Sequence, residues 1–196
     1  MPDYINSSQD IQLWQSMLNG SEMAFSKIYQ KYSPALFAYG SKISFDENIV
    51  KDAIQDVFIH LWNKRNTLPE VKNVRVYLLK SLRNRLFRIL EKHGKFEKEI
   101  TDDLLITPSK EDSIILQELK KEQLLKLHFH LQNLPTRQRE VIHLKFFQNL
   151  KTAEIAELLD INYQSVSNII HRGLNTLKTK FQPSNFSFEK KKTRNL

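Results

Sequence analysis

The chain has 196 residues, 40% of them hydrophobic, and its 30 basic against 22 acidic side chains leave a net charge of +8. This length can hold two small domains with buried cores, and only four glycines beside many Leu, Ile, Lys and Gln residues predict an all-α chain. The lack of cysteine excludes disulfides, thiol catalysis and Cys-based zinc sites and fits a reducing cytoplasm. No signal peptide and no apolar run near the ~20 residues that span a bilayer is visible, so a cytoplasmic protein that is not itself a membrane protein is expected. The charge is unevenly spread. Residues 1–92 carry 13 basic and 9 acidic side chains, residues 93–112 carry 3 and 6, and residues 113–196 carry 14 and 7. Two basic lobes therefore flank an acidic connector, a balance suited to a polyanionic partner.

In chain order, Asp10 to Leu18 predicts a short amphipathic helix ending at Gly20. Ser21 caps a second helix in which Ala24, Phe25, Ile28, Tyr29 and Tyr32 share a face. The helix that begins near Asp46 has two dissimilar faces. Val50, Ala53, Ile54, Val57 and Leu61 form one, while Asp52, Gln55, Asp56, Ile59, Trp62 and Asn63 form the other. A large apolar pair, Ile59 and Trp62, among carboxylates on the face that should meet water marks a protein interface, although Trp62 folded back as core is the plainer alternative.

The next helix, opened by Pro69, is expected to bury Val71, Val74, Leu78, Leu82, Leu86 and Ile89. Opposite them lie Tyr77, Lys80, Arg83, Asn84, Phe87 and Arg88. Cations hold phosphates and rings stack on unpaired bases, so this interleaving suits a single nucleic-acid strand; a solvated charged face with incidental aromatics is the alternative. From His93 to Asp112 periodicity fails around Gly94, Pro108 and acidic pairs, which reads as a flexible tether.

A helix resumes over residues 113–133 and leads into LPTRQREVIHLKFFQNLKTAEIAELLDINYQSVSNIIHRGLNTL. Pro135 suits the first position of a helix with Val141, Leu144 and Phe147 on one side. Thr152 can cap the next, in which Ile155, Ala156 and Leu159 form a stripe. Asn162, after the Asp160 turn, can cap a third. There Val166, Ile169, Ile170, Leu174 and Leu177 are expected to face inward, and Gln164, Ser165, Ser167, Asn168, His171 and Arg172 outward. This is a helix-turn-helix whose last helix offers short hydrogen-bonding groups and almost no carboxylate. That chemistry reads base edges in a major groove, whereas the solvated face of an ordinary bundle is usually a mixture of Glu and Lys. Beyond Phe181 the basic tail, with Pro183 and Lys190 to Lys192, is expected to lack a fixed fold.

The six histidines are scattered, no carboxylate pair is spaced with them as a metal site requires, and no phosphate-binding glycine loop occurs. Neither catalysis nor a cofactor or metal is expected. A helix-turn-helix transcriptional regulator of the response-regulator type is the alternative function, but its receiver or ligand domain would need βα alternation that residues 1–92 lack. A nucleic-acid enzyme would need acidic metal ligands gathered in a cleft.

The succession DAIQDVFIHLW, YLLKSLRNRLF, a tether, and LPTRQREVIHLKFF with TAEIAELLDINYQSVSNIIHRGLNTLK resembles an extracytoplasmic-function sigma factor of bacterial RNA polymerase, in the sigma-70 family. It looks like the subgroup tied to iron-siderophore uptake and polysaccharide use. The resemblance covers about residues 21–92 and 113–180. It implies a polymerase subunit that directs promoter-specific initiation, with core RNA polymerase, promoter DNA and a membrane-associated anti-sigma factor as partners. Domains would be 1–92 (core polymerase and minus-ten element), 93–112 (linker), 113–181 (minus-thirty-five element) and 182–196 (tail). On the matching segments it implies core contacts at Asp52, Gln55, Asp56 and Trp62, beside the Ile59 nominated above. Minus-ten contacts fall at Tyr77, Lys80, Arg83 and Asn84, with Phe87 and Arg88 on the same face. Minus-thirty-five contacts fall at Ser165, Ser167, Asn168, His171 and Arg172, beside Gln164. Two positions depart from the family pattern. Arg88 stands where an acidic residue is common, and Asp160 stands where the turn usually has Gly, a left-handed position that Asp tolerates. The acidic tether, with Glu97, Glu99, Asp102 and Asp103, is expected to lie in a cationic polymerase channel in place of nucleic acid.

Overall fold

The computed structural model describes residues 8–44, 46–92, 126–127 and 129–180, and all regular structure among them is helical. The expected linker, with Glu97, Glu99, Asp102 and Asp103, and the basic tail lie outside the described residues.

The N-terminal unit holds α1 (Ser8–Leu18), α2 (Glu22–Gly40), α3 (Glu47–Lys64), a 3₁₀ turn (Arg65–Thr67) and α4 (Val74–Lys92). Gly20 takes a positive φ of 89° to end α1, and Ser21 Oγ accepts from the Ala24 N–H at 3.2 Å to start α2. Asp46 caps α3 by accepting from the Asn48 and Ile49 N–H groups. α2 ends close against α3, since a Cβ on Gly40 would lie 2.6 Å from Val50 Cγ1.

α4 starts five residues later than Pro69 suggests. The Asn73 side chain caps it through the Val76 N–H (3.1 Å), while the Pro69 carbonyl accepts from the Trp14 indole (3.3 Å) and ties the preceding segment to α1. Leu78, Leu79, Leu82, Leu86 and Leu90 are fully buried along α4. Burying each contributes about 1.5–3 kcal/mol, so this row anchors the unit. Ile89 and Val71, expected in the buried arc, are only half-buried. The later start leaves Val71 outside the helix, and Leu90 continues the row from Leu82 and Leu86.

The C-terminal unit follows a helical segment that ends at Gln132 and comprises α5 (Thr136–Ile142), a π-helical turn (His143–Phe147), α6 (Thr152–Leu159) and α7 (Tyr163–Lys180). Pro135 sits one position ahead of α5, as its N-cap, with extended ψ. The π turn admits one extra residue, with the Gln148 N–H donating to the His143 carbonyl at 3.0 Å. That insertion rotates the stripe, so Phe147 points outward at 48% exposure and Gln148 is buried in its place.

Lys151, not Thr152, caps α6, and its N–H donates to Glu154 Oε2 at 2.7 Å. Asp160 adopts the left-handed conformation at φ 54°, as its place in the turn requires, and Asn162 Oδ1 accepts from the Ser165 N–H at 2.7 Å. Along α7, Val166, Gly173 and Leu177 face inward. Leu174, expected inward, is 41% exposed. The contact side passes instead through Gly173, where a Cβ would lie 3.1 Å from Ile142, so α7 crosses α5 at its smallest residue.

The two units close on each other. Val141, Leu144, Leu150, Ile155 and Leu158 of the C-terminal unit belong to the same apolar cluster as the α4 leucines.

Candidate nucleic-acid and polymerase interfaces

Three surfaces carry the residues singled out by sequence. On α3, Asp52 and Gln55 are exposed and Ile59 is 49% exposed, forming an open strip with an apolar centre. Asp56 is half-buried and accepts from Arg85 Nε at 2.8 Å and Nη2 at 2.6 Å. Trp62 is not an open anchor. It packs on the Phe25 ring (5.1 Å between centroids), with the Arg65 guanidinium 4.6 Å from its centre. The reason is that α3 packs against both α2 and α4, so its buried arc is wider than one stripe and also takes in Phe58.

The polar side of α4 divides in two. Tyr77, Asn84 and Arg88 border a cleft of about 480 Å³ against α3, together with Asp56, His60 and Arg85. Asn84 and Arg88 are exposed there. Tyr77 is half-buried with its ring edge-on to Trp14 at 5.2 Å, and burial raises its phenol pKa above the usual value. The other half lies beneath the C-terminal unit. Lys80 Nζ donates to Asp160 Oδ1 and to the Glu157 carbonyl, each at 3.1 Å. Arg83 Nε donates to Glu140 Oε1 at 2.9 Å, and its guanidinium stacks on Phe87 at 4.2 Å. An open strand-binding face was expected here; Arg83 is instead shielded because the Glu140 carboxylate of α5 complements its charge, while Lys80 meets Asp160 of the α6–α7 turn at an exposed edge.

Around that contact sequence reasoning missed several residues. Tyr39, fully buried, donates to Glu140 Oε1 at 2.8 Å, and burial followed by the Glu140 charge holds its pKa well above the ordinary value. Asn73 Nδ2 donates to Glu154 Oε1 at 2.7 Å. Gln148 Oε1 accepts from buried Arg75 at 2.6 Å, while its Nε2 donates to the Ala35 carbonyl at 3.4 Å. His143 lies between the Tyr39 and Phe147 rings, at 6.3 and 5.3 Å, with Gln148 Nε2 3.4 Å from its Nε2. Burial, with the Lys42 charge second, lowers its pKa from 6.5 to about 3. No local pattern signals these residues, because the hydrogen bonds that tie Tyr39, Asn73 and Gln148 into the contact join positions 73 to 113 apart in the chain.

The third surface is α7. Gln164, Asn168, His171 and Arg172 are exposed, and Ser165 and Ser167 are half-buried at their margin. Gln164 Nε2 donates to Asn168 Oδ1 at 3.1 Å one turn away. The capped N-terminus of α7 and its row of short donors and acceptors thus stand clear of both units, in the arrangement a helix needs to enter a major groove. Among the described residues no helix is long and apolar enough to cross a membrane.

Residues 28–96 match the family described as Sigma-70 region 2, and residues 124–177 match Sigma-70, region 4. The chain is 26% identical over 156 residues to RNA polymerase sigma factor SigZ of Bacillus subtilis (strain 168), covering 80% of this chain and 86% of that protein. It is 25% identical over 161 residues to ECF RNA polymerase sigma factor SigX of the same organism, covering 80% and 83%. Among solved structures, CnrH in complex with the cytosolic domain of CnrY aligns with a TM-score of 0.61 at 19% identity, covering 87% of this chain and 95% of that one. The sigma factor RpoE in complex with the anti-sigma factor NepR from Bartonella quintana aligns with a TM-score of 0.58 at 22% identity, covering 80% and 95%. These two establish likeness of fold. The region 2 match on the α2–α4 unit and the region 4 match on the helix-turn-helix, in that order along one chain, agree with the relatives: the chain belongs to the sigma-70 family as an extracytoplasmic-function sigma factor, which directs promoter-specific transcription initiation.

Proposed function

We propose that initiation is divided among the three surfaces. The strip of α3 with Asp52, Gln55 and Ile59, flanked by Asp56 and the edge of Trp62, docks core RNA polymerase. The α4 side with Tyr77, Lys80, Arg83, Asn84, Phe87 and Arg88 takes the separated strand of the minus-ten element, the rings stacking on unpaired bases and the cations holding phosphates. The α7 row of Gln164, Ser165, Ser167, Asn168, His171 and Arg172 reads duplex at the minus-thirty-five element.

The observation that carries this reading is the α7 face, open, free of carboxylates and led by a capped helix N-terminus. A solvated face with no DNA role has no need of such a composition.

In the same proposal, residues 1–92 and 113–181 are the two domains, 93–112 an acidic linker lying in a cationic polymerase channel, and 182–196 a basic tail. The chain acts in the cytoplasm and catalyses no reaction of its own. A membrane-associated anti-sigma factor restrains it, and the subgroup serving iron-siderophore uptake rests on the sequence resemblance alone.

Adding the purified chain to core polymerase tests the division. Specific transcripts from a defined promoter are expected with the native chain. Ile59→Arg should lose core binding in a pull-down, and Arg172→Ala should bind core normally but bind promoter duplex more weakly. Retained core binding by Ile59→Arg together with Asp52→Arg would remove α3 from the interface.

A further inference from the structure

We propose that α1 takes part in promoter opening through Trp14, a positioning residue that holds the Tyr77 ring as a fixed platform for an unpaired base. α1 precedes the region 2 match, which begins at residue 28. Trp14 is 1% exposed and touches the strand-reading side at two points. Its indole N–H donates to the Pro69 carbonyl at 3.3 Å, and its ring stands edge-on to the Tyr77 ring, 5.2 Å between centroids with the planes 65° apart.

Both contacts fall where α4 begins. The connection from α3 passes through Pro69 and ends at Asn73, whose side chain caps α4 through the Val76 N–H. Tyr77 lies in the first turn, and its N–H donates to the Asn73 carbonyl at 3.1 Å. One indole therefore ties the approach to α4 and braces the first aromatic of that helix, in the edge-to-face arrangement that ring quadrupoles favour. The support is itself anchored. Asp10 of α1, 1% exposed, accepts from Lys31 of α2, and Met17 is fully buried.

Tyr77 also borders the α3–α4 cleft with Asn84 and Arg88, whereas Trp14 does not line it. A strand in that cleft can therefore feel Trp14 only through the Tyr77 ring. A ring held in place before the base arrives need not be immobilised on binding, so the ordering cost of stacking is lowered. Trp14 as plain core would lower stability when lost, with no effect particular to single strands. As a positioning residue its loss weakens strand binding, and that effect vanishes once the Tyr77 ring is gone.

The inference rests on the assignment of Tyr77 to the strand-binding face, and a double-mutant cycle separates the two. Trp14→Leu, Tyr77→Leu and the pair are compared with the native chain in the holoenzyme, below the melting temperature of the least stable variant. The probe is a labelled 20-nucleotide mixed-sequence single strand. Tyr77→Leu should weaken its binding about tenfold, as loss of one stacked base should. Trp14→Leu should weaken it about threefold and slow promoter opening read by permanganate, with core binding and duplex affinity at native levels. In the Tyr77→Leu chain, Trp14→Leu should weaken strand binding no further.

Unchanged strand binding by Tyr77→Leu overturns the assignment of Tyr77, and the platform with it. A tenfold loss there beside no loss for Trp14→Leu, or losses that multiply in the double variant, overturns the positioning role alone. Equal losses of strand, duplex and core binding by Trp14→Leu also reduce it to core packing. Should Trp14→Leu fold poorly, the native sequence gives the answer by ¹⁹F resonance. The chain has two tryptophans, so 5-fluorotryptophan labelling yields two signals, and Trp62→Phe identifies that of Trp14. Saturating single strand should shift the Trp14 signal of the full chain, but not when Tyr77→Leu is present. An unmoved Trp14 signal in the native sequence rejects the positioning role.

Discussion

The outer faces of α4 and α7 start from similar ingredients, cations and amides on a helix whose other side is buried, and end in opposite situations. On α4, Lys80 and Arg83 are neutralised by acids of another unit and Tyr77 is packed on Trp14. On α7, Asn168, His171 and Arg172 meet solvent, and Tyr163 is 59% exposed. The difference teaches that a nucleic-acid face is defined by what approaches it, not only by its composition. Carboxylates at Glu140 and Asp160 come within hydrogen-bond reach of α4, and none belongs to α7 itself.

The two faces should therefore respond differently to the same substitution, first and most strongly at their aromatics. Tyr77→Ala empties a half-buried, ring-packed site and should cost about 2–4 kcal/mol in urea unfolding, near the lower end of aromatic truncations. Tyr163→Ala on α7 should change stability by under about 0.5 kcal/mol. Equal losses would mean that the α7 aromatic is structural too. Because Tyr77→Ala perturbs packing, slowed strand opening in that variant needs a check with Tyr77→Phe, which keeps the ring.

Acid should loosen the covered side next. His143 is neutral in the folded chain, with its pKa lowered to about 3 from 6.5, so the unfolded chain binds the extra proton first as pH falls. Stability is complete above the unfolded value and declines from there towards pH 3. Between pH 7 and pH 5 the loss should be about 2 kcal/mol by linkage. His143→Phe, which keeps a ring between Tyr39 and Phe147, should flatten that slope in pH-dependent melting, and an unaltered slope would assign it to other groups.

A comparable effect, in binding instead of stability, is expected at Arg172. Its replacement by Ala should cost about 1–3 kcal/mol at the base pair it contacts, read by gel shift of holoenzyme on promoter variants, with little change in melting temperature. A smaller loss than at Tyr77 or His143 belongs to Arg83→Ala. Removing its bond to Glu140 and its stacking on Phe87 should lower stability by about 1 kcal/mol, while duplex affinity is spared. A loss of duplex binding equal to that of Arg172→Ala would collapse the distinction between the faces.

Much of this was legible locally. Gly20, Ser21, Asp160 and Asn162 mark helix ends because each satisfies a backbone requirement within a few residues of itself, a positive φ or an orphan N–H. The leucines of α4 and the Val50 to Leu61 stripe follow from helical period alone. Their family resemblance, carried by the same two motifs, also fixed the order of the two units.

What the sequence by itself determined is thus the all-helical class, the helix-turn-helix with its open polar row, and the family. Only the tertiary structure decided that Trp62 lies under Phe25, that the π turn sends Phe147 out and Gln148 in, that Gly173 displaces Leu174 at the helix crossing, and that Arg83 meets Glu140. Periodicity describes one helix against one notional core, so it is blind to a second neighbour, to an inserted residue that resets the phase, and to charges paired across 57 positions of chain. Those depend on how the helices stack, because a buried ion pair or close crossing exists only when two distant segments present complementary charge or volume at the same point in space.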